Sequence, residues 1–131
     1  HIYYFATPFI QSGNVETFNQ QLFLKFYSYY VTGLSHLIEY AVKHEIAGVF
    51  NPSTIYISDE VPGFAEYAAA KSAAEIVGKY MTSSFNKTQF FCPRLPKMST
   101  DQTASLLPTN NIKIERVMLE TLREFRKVCF L

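Results

Sequence analysis

Apolar and polar residues fall into blocks along this chain, and the spacing within each block predicts an element. Ile2 to Ala6 is short, aromatic and apolar without alternation, which predicts a strand buried on both faces, as in a parallel sheet. Thr7-Pro8 stops it, because a residue before proline is pushed out of the helical region and the ring cannot donate to a ladder. Gly13-Asn14 reads as a turn and an N-cap. From Val15 to His44 apolar residues recur at spacings of three and four: Val15, Phe18, Leu22, Phe26, Tyr30, Gly33, Leu37 and Ala41. That is one stripe of a helix, long at roughly 45 Å. Phe23, Tyr27 and Tyr29 widen the apolar surface, so this helix is expected to pack on two sides.

Ile46 to Ile57 holds a second buried strand centred on Gly48-Val49-Phe50, ended by Asn51-Pro52, with Ser53-Thr54 just beyond. Ser58 to Gly63 has the composition of a loop. Phe64 to Met81 is helical, rich in Ala, and its small residues allow a neighbouring backbone to approach closely. Thr88 to Cys92 is a third short strand stopped by Pro93. Arg94 to Asn111 is irregular, punctuated by Pro96 and Pro108. Ile112 to Val128 is a final amphipathic helix, with Ile114, Val117, Met118, Leu122 and Phe125 on one face and Glu115, Arg116, Glu120, Arg123 and Arg126 on the other. Strands alternating with helices predict an α/β fold with a parallel sheet and crossover helices.

Composition adjusts this picture. The chain has 131 residues, one domain's worth, with 48% hydrophobic residues, which excludes a disordered chain. Only 18% are charged, against about 25% in an average soluble domain. The aromatic-rich remainder implies an unusually rich core or a surface that meets another protein part. A net charge of +1 argues against an electrostatic nucleic-acid binder. No stretch nears the roughly 18 apolar residues of a membrane helix. The apolar start, His1 to Ile10, lacks the basic flank and small-residue exit of a signal peptide. Two cysteines, Cys92 and Cys129, are too few for a disulfide framework and fit a reducing, cytoplasmic setting. His1, His36 and His44 are too scattered for a metal site. Asn86-Lys-Thr88 matches a glycosylation pattern, with nothing else pointing to secretion.

The pointed chemical signal is Tyr67-Ala-Ala-Ala-Lys71. Residues four apart share a helix face, so the Lys71 ammonium is expected near the Tyr67 phenol. A free phenol titrates at about 10, too high for proton transfer near neutrality, and a nearby cation would lower it. The pair is a candidate general acid/base. Ser53-Thr54 closes the preceding strand, and a hydroxyl at the carboxyl end of a parallel strand faces the crevice where ligands bind.

With these residues in view, the chain resembles the short-chain dehydrogenase/reductase superfamily, especially its extended branch of sugar-nucleotide epimerases and dehydratases. Tyr4-Phe-Ala-Thr-Pro8 looks like the end of that family's fourth strand, and Gly33-Leu-Ser-His-Leu-Ile-Glu-Tyr-Ala41 resembles its Gly-Thr-x-Asn-Leu-Leu-Glu-Ala-Ala helix. Gly48-Val-Phe-Asn-Pro-Ser-Thr54 looks like its fifth strand, and Phe64 to Glu75 is close to its catalytic helix. Phe91-Cys-Pro-Arg-Leu-Pro96 resembles its sixth strand and the Arg-x-Gly/Pro stretch after it. The resemblance implies a partial Rossmann-like doubly wound sheet, from the fourth strand onward, and NAD(P)-dependent carbonyl/alcohol interconversion. Tyr67 would be the acid/base. Lys71 would hold the nicotinamide ribose and lower the Tyr67 pKa. Thr54, with Ser53 as the alternative, would orient the substrate oxygen. Ala6, Thr7, Pro93, Arg94 and Leu95 would line the nicotinamide side, and Lys97 to Thr103 would shape the substrate pocket.

Two departures stand out. Tyr30 occupies the place of the family's Asn before the helix glycine, which leaves a proton-relay role without its usual residue. The five glycines, at 13, 33, 48, 63 and 78, form no Gly-x-x-Gly-x-x-Gly loop, so nothing obvious cradles a pyrophosphate. Three readings compete. The chain is the carboxyl-terminal half of a reductase or epimerase whose other half supplies the NAD or NADP site. Alternatively it is a non-catalytic dimerisation or interaction module built on the 15–44 and 64–81 helices, which the family uses for homo-oligomers. Or it is an unrelated small α/β domain. The first is preferred, with a small-molecule substrate and neither nucleic acid nor membrane as partner.

Overall fold

The computed structural model describes residues 1–97 and 114–130. The expected irregular stretch beyond Lys97, including Pro108 and the start of the last helix at Ile112, lies outside the described residues. The element order is β1 (Ile2–Tyr3), α1 (Gln20–Tyr27), a π-helical segment (Ser28–Gly33), α2 (Leu34–Lys43), β2 (Gly48–Phe50), β3 (Ser53–Thr54), α3 (Tyr56–Asp59), α4 (Ala65–Thr82), β4 (Gln89–Phe91), β5 (Arg94–Leu95) and α5 (Ile114–Cys129). The strands make two small parallel sheets, ordered β1-β2-β4 and β3-β5. In the first, Ile2 faces Val49 and Tyr3 faces Phe50, while Gly48, Val49 and Phe50 face Gln89, Phe90 and Phe91. In the second, Ser53 faces Arg94 and Thr54 faces Leu95. The fold is mixed α/β with parallel pairing, as the alternation of elements predicts.

Side chains of the larger sheet alternate between two apolar layers, as the two-residue strand period requires. Ile2, Tyr4, Val49 and Phe90 pack with the helical core of Phe26, Tyr30, Leu34, Ile38, Ala70 and Ala74. Tyr3, Phe50 and Phe91 turn the other way, and their rings gather on Phe125 of α5 at centroid distances of 5.5–5.8 Å. Phe125 is fully buried. Ala70 and Ala74 sit in the core where α4 meets α1 and α2, so the small residues of α4 do permit close approach.

Four expectations need correction, one being that the chain is not irregular from Arg94, since Arg94–Leu95 pairs with Ser53–Thr54 as β5. The first strand is not buried on both faces: only Ile2–Tyr3 is regular, and Tyr3 and Phe5 are exposed at the edge of the sheet. The Tyr4 amide still donates to the Phe50 carbonyl, 2.8 Å, before the chain leaves the ladder. The long helix starts at Gln20, not Val15. Asn19 is its cap, accepting from the Leu22 amide at 3.0 Å, and Val15 and Phe18 are exposed. Asn14 instead accepts from the Glu16 amide in a local turn. That approach segment is tied down where the Gly13 amide donates to the Gly63 carbonyl, 2.7 Å, Gly63 lying at φ +80°. Last, the 58–63 loop is shorter than expected, because Tyr56–Asp59 forms a single helical turn.

Candidate active site

The residues after β1 and at the ends of β3 and β5 open onto one cleft of about 640 Å³. Ala6, Thr7, Ser53, Thr54, Tyr67, Lys71 and Leu95 all line it. Helix α4 supplies Tyr67 and Lys71 from its first two turns, on one face because they stand four apart. Thr54 ends β3, so its side chain reaches the cleft from the strand terminus. The sequence-predicted triad is therefore brought together at the carboxyl ends of parallel strands, where α/β proteins bind ligands.

Tyr67 is 8% exposed. Phe26, Tyr30, Tyr56 and Phe64 surround its ring in edge-to-face arrangements, with centroids 5.5–6.4 Å away. This burial pushes the phenol above its ordinary value of 10.0; the neighbouring Thr54 hydroxyl pulls it down, and Tyr56 pushes it up. The expected lowering by Lys71 is not found, and the placement of the ammonium gives the reason. Lys71 Nζ donates to the Pro52 carbonyl oxygen at 2.8 Å and lies 4.0 Å above the centre of the Tyr30 ring. Burial brings Lys71 down to about 8, against smaller opposing effects of Cys92 and Glu75. The pair thus consists of a neutral phenol and an amine that exchanges its proton near neutrality.

Ser53 and Thr54, indistinguishable in the sequence, separate here. The Ser53 hydroxyl donates to Glu75 Oε1 at 2.5 Å. Glu75 also takes a two-pronged bond from Arg94, Nε to Oε1 at 2.9 Å and Nη2 to Oε2 at 2.8 Å. Arg94 Nη1 donates onward to Ser58 Oγ at 2.8 Å. Burial is the largest single influence on Glu75 and pushes its pKa up, but the hydrogen bonds from Arg94 and Ser53 and the charges of Arg94 and Lys71 together bring it below the usual range. Ser53 therefore belongs to a clamp joining β3, β5, α3 and α4. Thr54 Oγ1 accepts from the Tyr56 amide at 3.2 Å and stands by the Tyr67 phenol. Arg94 is drawn into that clamp and does not line the cleft; nor does Pro93. Both were expected on the nicotinamide side. Of that set, Ala6, Thr7, Lys71 and Leu95 remain.

Sequence reasoning missed other parts of the site. Tyr30 hydroxyl bonds to Thr7 Oγ1 across the chain, and its ring carries the Lys71 ammonium. Its burial raises its pKa well beyond the ordinary phenol range. It sits in the π segment, and such wide turns are frequent at functional sites. Glu75 continues the face of Tyr67 and Lys71 at the next spacing of four, a signal readable from the sequence. Phe9, Ile10, Tyr56, Val61 and Phe64 line the cleft without any local signature. Glu66 is buried and accepts from the Asn19 amide at 2.6 Å, fixing the start of α1 against α4.

The Lys71 ammonium and the Thr7 and Tyr67 hydroxyls, donors of the kind a nicotinamide ribose would need, share the cleft with Ala6 and Leu95. The pyrophosphate end has no glycine-rich loop in the sequence to hold it. Among the described residues, no three His, Cys, Asp or Glu side chains are grouped as for a metal ion, and no helix is long and apolar enough to cross a membrane. Comparison of the chain with models of protein families, with curated proteins and with solved structures returned no match.

Proposed function

We propose that this chain is the catalytic half of a cytoplasmic, Rossmann-like NAD(P)-dependent reductase or epimerase of the short-chain dehydrogenase/reductase type, completed by an amino-terminal half that binds the dinucleotide. One observation carries the reading: Thr54, Tyr67 and Lys71 line a single cleft beyond the carboxyl ends of parallel strands. A reduced nicotinamide, when bound, would supply the hydride to a carbonyl carbon of the substrate. Tyr67, kept neutral by burial, donates its phenolic proton to the carbonyl oxygen as that carbon–hydrogen bond forms. The Thr54 hydroxyl donates a hydrogen bond to the same oxygen and holds it at the phenol. The phenolate then regains a proton from water in the cleft. Lys71, held by the Pro52 carbonyl and the Tyr30 ring at the cleft, would hold the ribose hydroxyls of the cofactor. In the direction of alcohol oxidation each transfer reverses.

The test is turnover of the complete protein that carries this segment, with Tyr67→Phe. Loss of one positioned acid is expected to lower kcat by about 10²–10⁴-fold with reduced-nicotinamide binding retained. Unchanged turnover sinks the catalytic assignment.

A second reading, a non-catalytic dimerisation or interaction module, is favoured by a different observation. Leu24, Tyr27 and Tyr29 on the first long helix and Ile76 and Tyr80 on α4 are exposed apolar or aromatic side chains. A second copy packing its equivalent helices against these would cover them as a two-fold interface.

A further inference from the structure

Away from Thr54 and Tyr67, the apolar part of the cleft wall comes from two segments of the chain, with Gln11, Ser12 and Lys97 lining the cleft beside it. One follows β1 and brings Phe9 and Ile10; the other runs from α3 to α4 and brings Tyr56, Val61 and Phe64. These five side chains are apolar or aromatic, and the Tyr56 and Phe64 rings stand edge to face with centroids 5.0 Å apart. No carboxylate side chain lines the cleft among the described residues, and the nearby guanidinium, Arg94, is turned away to Glu75 and Ser58. Sugar hydroxyls and phosphates buried against these five side chains would lose their water without gaining partners from them, Gln11, Ser12 and Lys97 lying outside the five. A flat hydrocarbon ring system would instead bury apolar area against it, at a cavity size ordinary for a small ligand.

Resting on the acid/base reading above, we infer that the wall of Phe9, Ile10, Tyr56, Val61 and Phe64 is a substrate subsite for a flat, apolar aryl ketone or its secondary alcohol, not for a sugar nucleotide. The ketone oxygen lies at Thr54 and Tyr67 and the aryl group lies on the wall. Phe9 is 61% exposed, so it can be changed without disturbing the core.

The experiment titrates the 131-residue chain with methyl naphthyl ketone and, separately, with UDP-glucose, following amide NMR signals and calorimetry. The ketone is expected to bind, with shifts confined to the two wall segments and the Thr54–Tyr67 region. Phe9→Asp is expected to weaken it at least tenfold, as is Val61→Asp, the second variant should the first disturb folding. UDP-glucose is expected to leave the cleft signals unmoved. The inference is overturned if UDP-glucose binds the cleft, if the ketone does not bind, or if both variants bind the ketone as well as the parent chain. Failure of the acid/base reading has a different signature: ketone binding that is sensitive to Phe9→Asp, together with full turnover by Tyr67→Phe in the complete protein.

Discussion

At the scale of single residues, Lys71 has the most to say. Its side chain is almost wholly buried, its charge offset by one carbonyl and one aromatic face. In the unfolded chain it titrates at its ordinary 10.5 and in the fold at about 8. Between those values the unfolded chain holds the extra proton, so raising the pH through this window favours the fold. Below it, the buried charge is a standing burden on the order of 3 kcal/mol. Lys71→Met keeps much of the stem and removes the charge. Its Tm is therefore expected to exceed that of the parent chain near neutral pH, with the difference closing as the pH rises past about 8 toward 10.5. Thermal melts across that range check it; a difference independent of pH would mean that the charge is not what Lys71 contributes. A residue retained at such a burden at the mouth of a cleft accords with a ligand-facing role.

Elements show why spacing alone misplaced a stripe. Leu22, Phe26, Tyr30, Leu34 and Ile38 are buried and step by four. In an ideal α-helix each such step overshoots a full turn by about 40°, so the stripe would wind around the axis. The wider π turn at Ser28–Gly33 absorbs the drift and keeps Leu34 and Ile38 on the face of Tyr30, where Gly33 and Leu37 were expected. Two substitutions test how the elements interlock. A methyl at Gly78 of α4 would collide with the ring of Phe90 on β4, so the ring must swing out of its packing. Gly78→Ala is expected to lower stability by about 1–3 kcal/mol despite its better helix propensity. Phe125→Ala empties the centre of the aromatic layer that joins α5 to the sheet, and is expected to lower stability by about 3–5 kcal/mol. Denaturant unfolding reads both, and a neutral Phe125→Ala would show that α5 is not docked on Phe50.

For the whole molecule, the question is what covers its exposed rings. Tyr80, on the outer side of α4, is 73% exposed. If α4 meets a second copy there, Tyr80→Glu is expected to convert a dimer into monomer in sedimentation velocity runs without lowering Tm, since the side chain contributes little within one chain. A parent chain that stays monomeric at high concentration removes the interaction-module reading. It leaves the catalytic reading to stand or fall on Tyr67→Phe.

The sequence by itself determined the kinds of element and their order, and it put Tyr67, Lys71 and the strand-end hydroxyls in one neighbourhood. Those are properties of local spacing: two residues for a strand, three and four for a helix, punctuated by Pro and Gly. It could not say that the first long helix begins after Asn19 and not after Asn14, since the Glu66 carboxylate that takes the Asn19 amide comes from 47 residues away. Only the tertiary structure decided that Ser53 goes to Glu75 and Thr54 to the Tyr67 phenol, that Arg94 turns away, and that Lys71 rests on the Tyr30 ring and the Pro52 carbonyl. The physical reason is the same in each case. Protonation, hydrogen-bond choice and the apolar wall depend on burial and on partners distant in the chain, and neither has a period that can be read along it.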